Sequence, residues 1–299
     1  MKAFICSSRC HGMNSHLYIF SGAVIVATVA ASIAGLCIVR KLIGLSKLQT
    51  YHEVAGYLIS VIGTLYAVLL GLVIVDVQSK YQDAKVMGET EANAVANVFI
   101  LSHALPAKYS HPLKKDAENY TNASLKEWQG DGASFASESA FCIRAMWFDT
   151  ISFDPKTNRE QACYSNLLTN LSQIGDCRRY RALSNSGTVS PVLWAVLIAG
   201  GTLTLIFTYF FGIESLAVQS VMTSFVALTL AMNILLVLLF SNPYKGYLRI
   251  YPGGLQYDKT LFELGPLNAQ FEAALNASLK KNDKLLDHKP NSEDQNVEH

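Results

Sequence analysis

Charge is scarce in this sequence. Of 299 residues only 16% are charged against 51% hydrophobic, a balance that excludes an ordinary soluble chain. No phosphate loop, dinucleotide fingerprint, zincin motif or G-x-S-x-G turn is present, and His52, His103 and His111 are scattered without ligand spacing. The sequence therefore offers no catalytic residues, no metal ligands and no cofactor, and it is not read as an enzyme. Its six cysteines contain no C-x-x-C pair, which removes metal or dithiol redox chemistry of that type. A net charge of +1 leaves no global electrostatic case for binding nucleic acid.

What is present is apolar sequence gathered into four runs. Leu17 to Val39 holds no charge and is closed by Arg40 and Lys41, and Val54 to Val75 ends at Asp76, Gln78 and Lys80. After more than a hundred mostly polar residues come Pro191 to Phe211 and Ser215 to Phe240. Each run approaches the roughly 20 residues a helix needs to cross the hydrocarbon of a bilayer. Backbone amides in lipid find no water, so the runs are expected to be helical. The first is too long for the apolar core of a signal peptide, and two basic residues stop it. Only Gly212, Ile213 and Glu214 separate the last two runs, which makes them an antiparallel hairpin.

The expected fold is an all-α integral membrane protein with four transmembrane helices and a helical cytoplasmic domain inserted between helices two and three. Its segments are 1–77 (N-terminal tail and first two membrane helices), 78–190 (cytoplasmic domain continuing helix two), 191–241 (membrane hairpin) and 242–299 (cytoplasmic C-terminal segment). Basic residues decide the sidedness. About ten (Lys2, Arg9, Lys80, Lys85, Arg178, Arg179, Arg181, Lys245, Arg249 and Lys259) fall on the side of the N-terminus, against about three (Arg40, Lys41, Lys47) opposite. Both termini are therefore expected in the cytoplasm, with the bacterial inner membrane as location and the lipid bilayer as first partner. Reduced thiols fit that side, and the sequons at Asn119, Asn122, Asn170 and Asn276 would stay unmodified there.

Proline is missing from Asp76 to Leu105, where Val77, Tyr81, Ala84, Gly88, Ala92, Val95 and Phe99 recur at helical spacing. The second membrane helix should thus continue out of the bilayer to Pro106, about 75 Å for some 50 residues, with Gly88 as a weak point. Amphipathic helices are expected over Lys114–Gln129, Ser139–Trp147, Asn158–Leu183 and Leu267–Leu286, with Pro252-Gly253-Gly254 as a turn beside a strand-like or irregular stretch.

In the second membrane helix, Gly56, Ser60, Gly63, Thr64, Ala67 and Gly71 fall on one face. Small residues let helix backbones approach in lipid, or leave room for an ion on a pore axis. Helix four repeats the theme with Ala217, Ser220, Ser224, Ala227 and Ala231, and helix three has Gly200 and Gly201. Asn233 is expected to bond a neighbouring helix. Asp76 would form a carboxylate ring in a symmetric assembly, or with Asp83, Glu89, Glu91, Lys80 and Lys85 a solvated, ion-paired helix face. Arg178, Arg179 and Arg181 read as topology determinants or anionic-lipid contacts at the membrane interface.

The stretch Gly56-Tyr57-Leu58-Ile59-Ser60-Val61-Ile62-Gly63-Thr64-Leu65-Tyr66-Ala67-Val68-Leu69-Leu70-Gly71, with Tyr81-Gln82-Asp83-Ala84 and Glu89-Thr90-Glu91-Ala92-Asn93 after it, resembles a bacterial membrane family labelled bestrophin-like. Arg178-Arg179, Leu193-Trp194, Gly200-Gly201 and Asn242-Pro243-Tyr244-Lys245-Gly246 followed by Pro252 carry the resemblance on, over roughly residues 50 to 260. It implies a homo-oligomer, pentameric by analogy, that passes inorganic ions as a channel lined by helix two. A non-conducting scaffold or sensor whose cytoplasmic helices bind a partner is the other reading. Helix two carries no repeated isoleucine and phenylalanine neck, and the chain shows no acidic calcium clasp, so ion selectivity and gating do not follow from the label.

Overall fold

The computed structural model describes residues 10–50, 52–129, 138–184, 189–245 and 248–263. These contain α-helices and no strand: α1 (Cys10–Ile43), α2 (Leu45–Thr50), α3 (His52–Ser102), α4 (Ala107–Gln129), α5 (Glu138–Ile151), α6 (Asn158–Ser184), α7 (Pro191–Tyr209), α8 (Leu216–Phe240) and α9 (Gly253–Glu263). Four of them, α1, α3, α7 and α8, are long and apolar enough to cross a membrane.

The described residues form two units. One takes residues 10–87 and 178–251, the other 88–129, 138–177 and 252–263. In the first, α1 lies on α8 and α7. Gln219, Thr223, Ala227, Ala231 and Leu235 are buried along α8, one residue per turn, so Ala227 and Ala231 are used up inside the chain, while Ser220 and Ser224 are half-buried and Ala217 is exposed. The face of α3 carrying Tyr66, Leu70, Val73 and Val77 forms an apolar cluster with Leu197 and Val237. Tyr66 Oη donates to the Leu197 carbonyl at 2.9 Å, and its ring lies where a Cβ on Gly200 would sit. Glycine at 200 is thus required by a close approach.

Ser190 and Ser215 start α7 and α8 as N-caps, accepting from Leu193 and Val218, and Pro191 opens α7 where a missing N–H costs nothing. Gly44, at φ 81°, ends α1 in the left-handed conformation that L side chains disfavour. Arg40 does more than stop a run. Its Nη2 donates to the Glu214 carbonyl at 2.6 Å and its Nη1 to Gln219 Oε1 at 3.1 Å. Gln219 Nε2 in turn donates to the Phe211 carbonyl at 2.5 Å, so one guanidinium satisfies the polar groups of the α7–α8 turn.

The second unit has a core from α3, α4, α5, α6 and α9, including Val95, Val98, Leu113, Met146, Leu167, Leu171 and Ile174. Phe99 stacks on Phe262 with centroids 4.2 Å apart. Each fully buried leucine or isoleucine contributes about 1.5–3 kcal/mol against exposure. Cys142, Cys163 and Cys177 are buried and form no disulfide.

Several expectations change. The continuous α3 runs through Gly88, which packs 3.4 Å from the Trp128 ring at the position of an added Cβ. α4 starts at Ala107 and contains Pro112. The lost N–H bond would have gone to Lys108, an exposed residue whose carbonyl water can reach. Gly253 and Gly254 open α9 rather than a turn, and residues 248–252 are irregular, held by Ile250 N–H to the Pro243 carbonyl. Leu267–Leu286 lies outside the described residues.

Candidate functional site

The membrane part of α3 has two faces with different fates. One is docked through Tyr66, as above. On the other, Ser60, Thr64, Ala67 and Gly71 are exposed and Gly56 and Gly63 partly so. A Cβ added at Gly63 or Gly71 meets nothing within 4 Å, and one at Gly56 meets only Phe211 at 3.8 Å. Gly200 and Gly201 of α7 and Ala227 and Ala231 of α8 pack inside the chain, whereas Ala217 of α8 and most of the α3 row are exposed. Thr64 Oγ1 donates to the Ser60 carbonyl of its own helix at 2.7 Å, which lets a hydroxyl face outward without an unsatisfied proton.

Asp76 is placed elsewhere. At about 100° per residue it lies roughly 140° around α3 from Gly71. Lys80 Nζ pairs with it at 2.8 Å, the ion-paired helix face anticipated from the spacing. Among the basic residues Arg179 is exposed, Arg178 partly buried and Arg181 only 3% exposed. Arg181 is therefore packed inside its unit, whereas Arg179 faces outward. Asn233 donates to the Thr229 carbonyl of α8 at 2.9 Å, in place of the expected bond to a neighbouring helix.

A family profile described as the Bestrophin-like domain matches residues 26–255, from α1 into the start of α9. The chain belongs to the bestrophin-like family. Searches of curated proteins and of solved structures found no match. Four long apolar helices, three inside that profile and α1 entering it part-way, support this bestrophin-like chain as a membrane protein. The profile takes in all six small residues of the α3 face.

In the second unit of the bestrophin-like protein, the carboxyl groups are the informative feature. Glu91, read from sequence as part of a solvated face, is 1% exposed. It accepts from Tyr120 Oη at 2.7 Å and from Ser124 Oγ at 3.0 Å. Its position seven after Ala84 and four before Val95, on the buried side, is the signal that could have located it. Burial raises the Glu118 carboxyl from its ordinary range, and burial followed by the charge of Asp149 raises Asp116. Among the described residues no group of three or more His, Cys, Asp or Glu side chains is placed to hold a metal.

Proposed function

We propose that this bestrophin-like protein is a homo-oligomeric membrane ion channel in which α3 lines or packs around the axis through Gly56, Ser60, Gly63, Thr64, Ala67 and Gly71. One observation carries the reading: among the described residues the small-residue face of α3 is left largely uncovered, with Phe211 beside Gly56 as the one close neighbour of its glycines. Lipid gains little from such a face, whereas another helix gains close backbone contact, and an aqueous axis gains room and hydroxyls. Five copies follow from the family label by analogy, inorganic ions are the cargo, and Asp76 flanks the row rather than continuing it. In this reading both termini and the second unit lie in the cytoplasm beneath the bacterial inner membrane, with Arg178, Arg179 and Arg181 near the interface.

A second reading, a non-conducting scaffold or sensor, has its own support. In α5, Phe141 and Phe148 are each 73% exposed and Ile151 63%. They recur at helical spacing on a face that a partner protein would cover.

Thr64→Val separates the two. It removes one hydroxyl bonded only to its own helix, so the folded protomer should change by less than about 0.5 kcal/mol. For a channel, unitary conductance or ion preference in planar bilayers should change with assembly intact. Bilayers that stay silent for wild type and variant across voltage, pH and salts support the scaffold.

A further inference from the structure

α9 begins with Gly253 and Gly254 and has no acidic residue in its first turn. That carboxylate is supplied from α3. A Cβ on Gly254 would fall 2.7 Å from Glu89 Oε2, and one on Gly253 3.9 Å from Glu89 Oε1, so Glu89 lies against the positive end of α9, where an anion is favoured. Glu89 is exposed. One turn further along α9, Asp258 points inward beside Leu255 and Phe262 and is 5% exposed. Its Oδ2 accepts no hydrogen bond among the described residues.

Among the described residues no cation pairs with Asp258. From α3, Glu89 lies against Gly254, one turn before Asp258, and its charge acts on that carboxyl. The neighbouring Lys259 is paired with Glu263 at 3.8 Å, and both line a hollow of about 90 Å³ with Glu118 of α4. A buried carboxylate facing a second one without a counter-ion is costly, whereas a neutral carboxyl is not.

We propose that Asp258 and Glu89 form a proton-operated latch, in which protonated Asp258 lets α9 lie on α3 and α4 and loss of that proton releases it. In the docked state Asp258 holds the proton. Burial first, and the charge of Glu89 second, push the Asp258 carboxyl up to about 7. In released α9 the group returns to the ordinary carboxylate range, so the docked state binds one more proton between the two values. Docking is then strongest in acid, weakens as pH rises to about 7, and changes no further above it. The latch acts on α3 whether or not the protein conducts.

Hydrogen exchange of the full chain in lipid nanodiscs tests this. Opening of residues 255–262, corrected for intrinsic exchange, should rise about tenfold per pH unit from pH 5.5 to 7 and then level off. Asp258→Asn should remove the slope. Glu89→Gln, which removes the repelling charge, should keep the slope and bring the plateau to lower pH. A flat profile in the wild-type protein, or an unchanged slope in Asp258→Asn, overturns the latch. Glu89→Gln with an unmoved plateau overturns the pairing, and that result remains readable if Asp258→Asn does not fold.

Discussion

Gly200→Leu is expected to disrupt the membrane-helix unit, while Gly63→Leu, a change of the same size in another membrane helix, leaves the protomer folded and stops function. The first Cβ at 200 overlaps the Tyr66 ring, with Cε2 at 2.6 Å. Overpacking of this kind costs about 1–3 kcal/mol, and moving the ring also forfeits the Tyr66 bond to Leu197, about 1 kcal/mol more. At Gly63 a Cβ meets nothing within 4 Å, so any damage there comes from outside the chain. Thermal melts in detergent should show a lowered midpoint for Gly200→Leu alone. Native mass spectrometry and bilayer recordings should show lost assembly or lost current for Gly63→Leu. If the latter assembles and conducts normally, the small-residue face of α3 meets lipid.

The second large effect is expected at Glu91. Tyr120 is fully buried, and its hydroxyl reaches the Glu91 carboxylate at 2.7 Å. Tyr120→Phe leaves a buried acceptor short of one donor and should cost about 1–3 kcal/mol of stability. Glu91→Leu removes the acceptor and leaves both Tyr120 and Ser124 without that partner, so it should be at least as damaging. Denaturant unfolding followed by tryptophan fluorescence reads both, because Trp128 packs beside Gly88 in the same unit. A Tyr120→Phe, Glu91→Leu double variant should lose less than the sum of the single losses. Strict additivity would mean the two groups do not share a bond.

Why the helices were legible and parts of the site were not follows from the residues themselves. The length of α3 could be read because its buried row from Val77 to Phe99 keeps one period with no proline in the way. α9 was hidden because Pro252-Gly253-Gly254 has turn chemistry. Those glycines serve another end, since a side chain at 254 would strike Ala92 and Glu89. Pro112, a residue with breaker chemistry, is tolerated near the start of α4, which begins at Ala107, seven residues before the expected Lys114. The small residues of α3, α7 and α8 look alike in sequence, and only tertiary contacts tell which are spent on Tyr66 or on α1. Charges posed the reverse problem. Arg181, Glu91 and Asp258 are all buried, each in register with an apolar row of its own helix, but charged residues are ordinarily exposed, and the partners that make burial tolerable come from distant helices.

In the proposed channel, α3 turns its small-residue face toward other copies of the chain around a water-accessible axis. A structure of the assembled protein in lipid nanodiscs tests it most directly. The account predicts a ring of copies with Ser60, Thr64 and Gly71 facing a continuous lumen, and with Tyr66 turned away onto Gly200 of its own chain. A monomer, or a ring whose axis is filled by side chains or lipid with Thr64 against acyl chains, contradicts it.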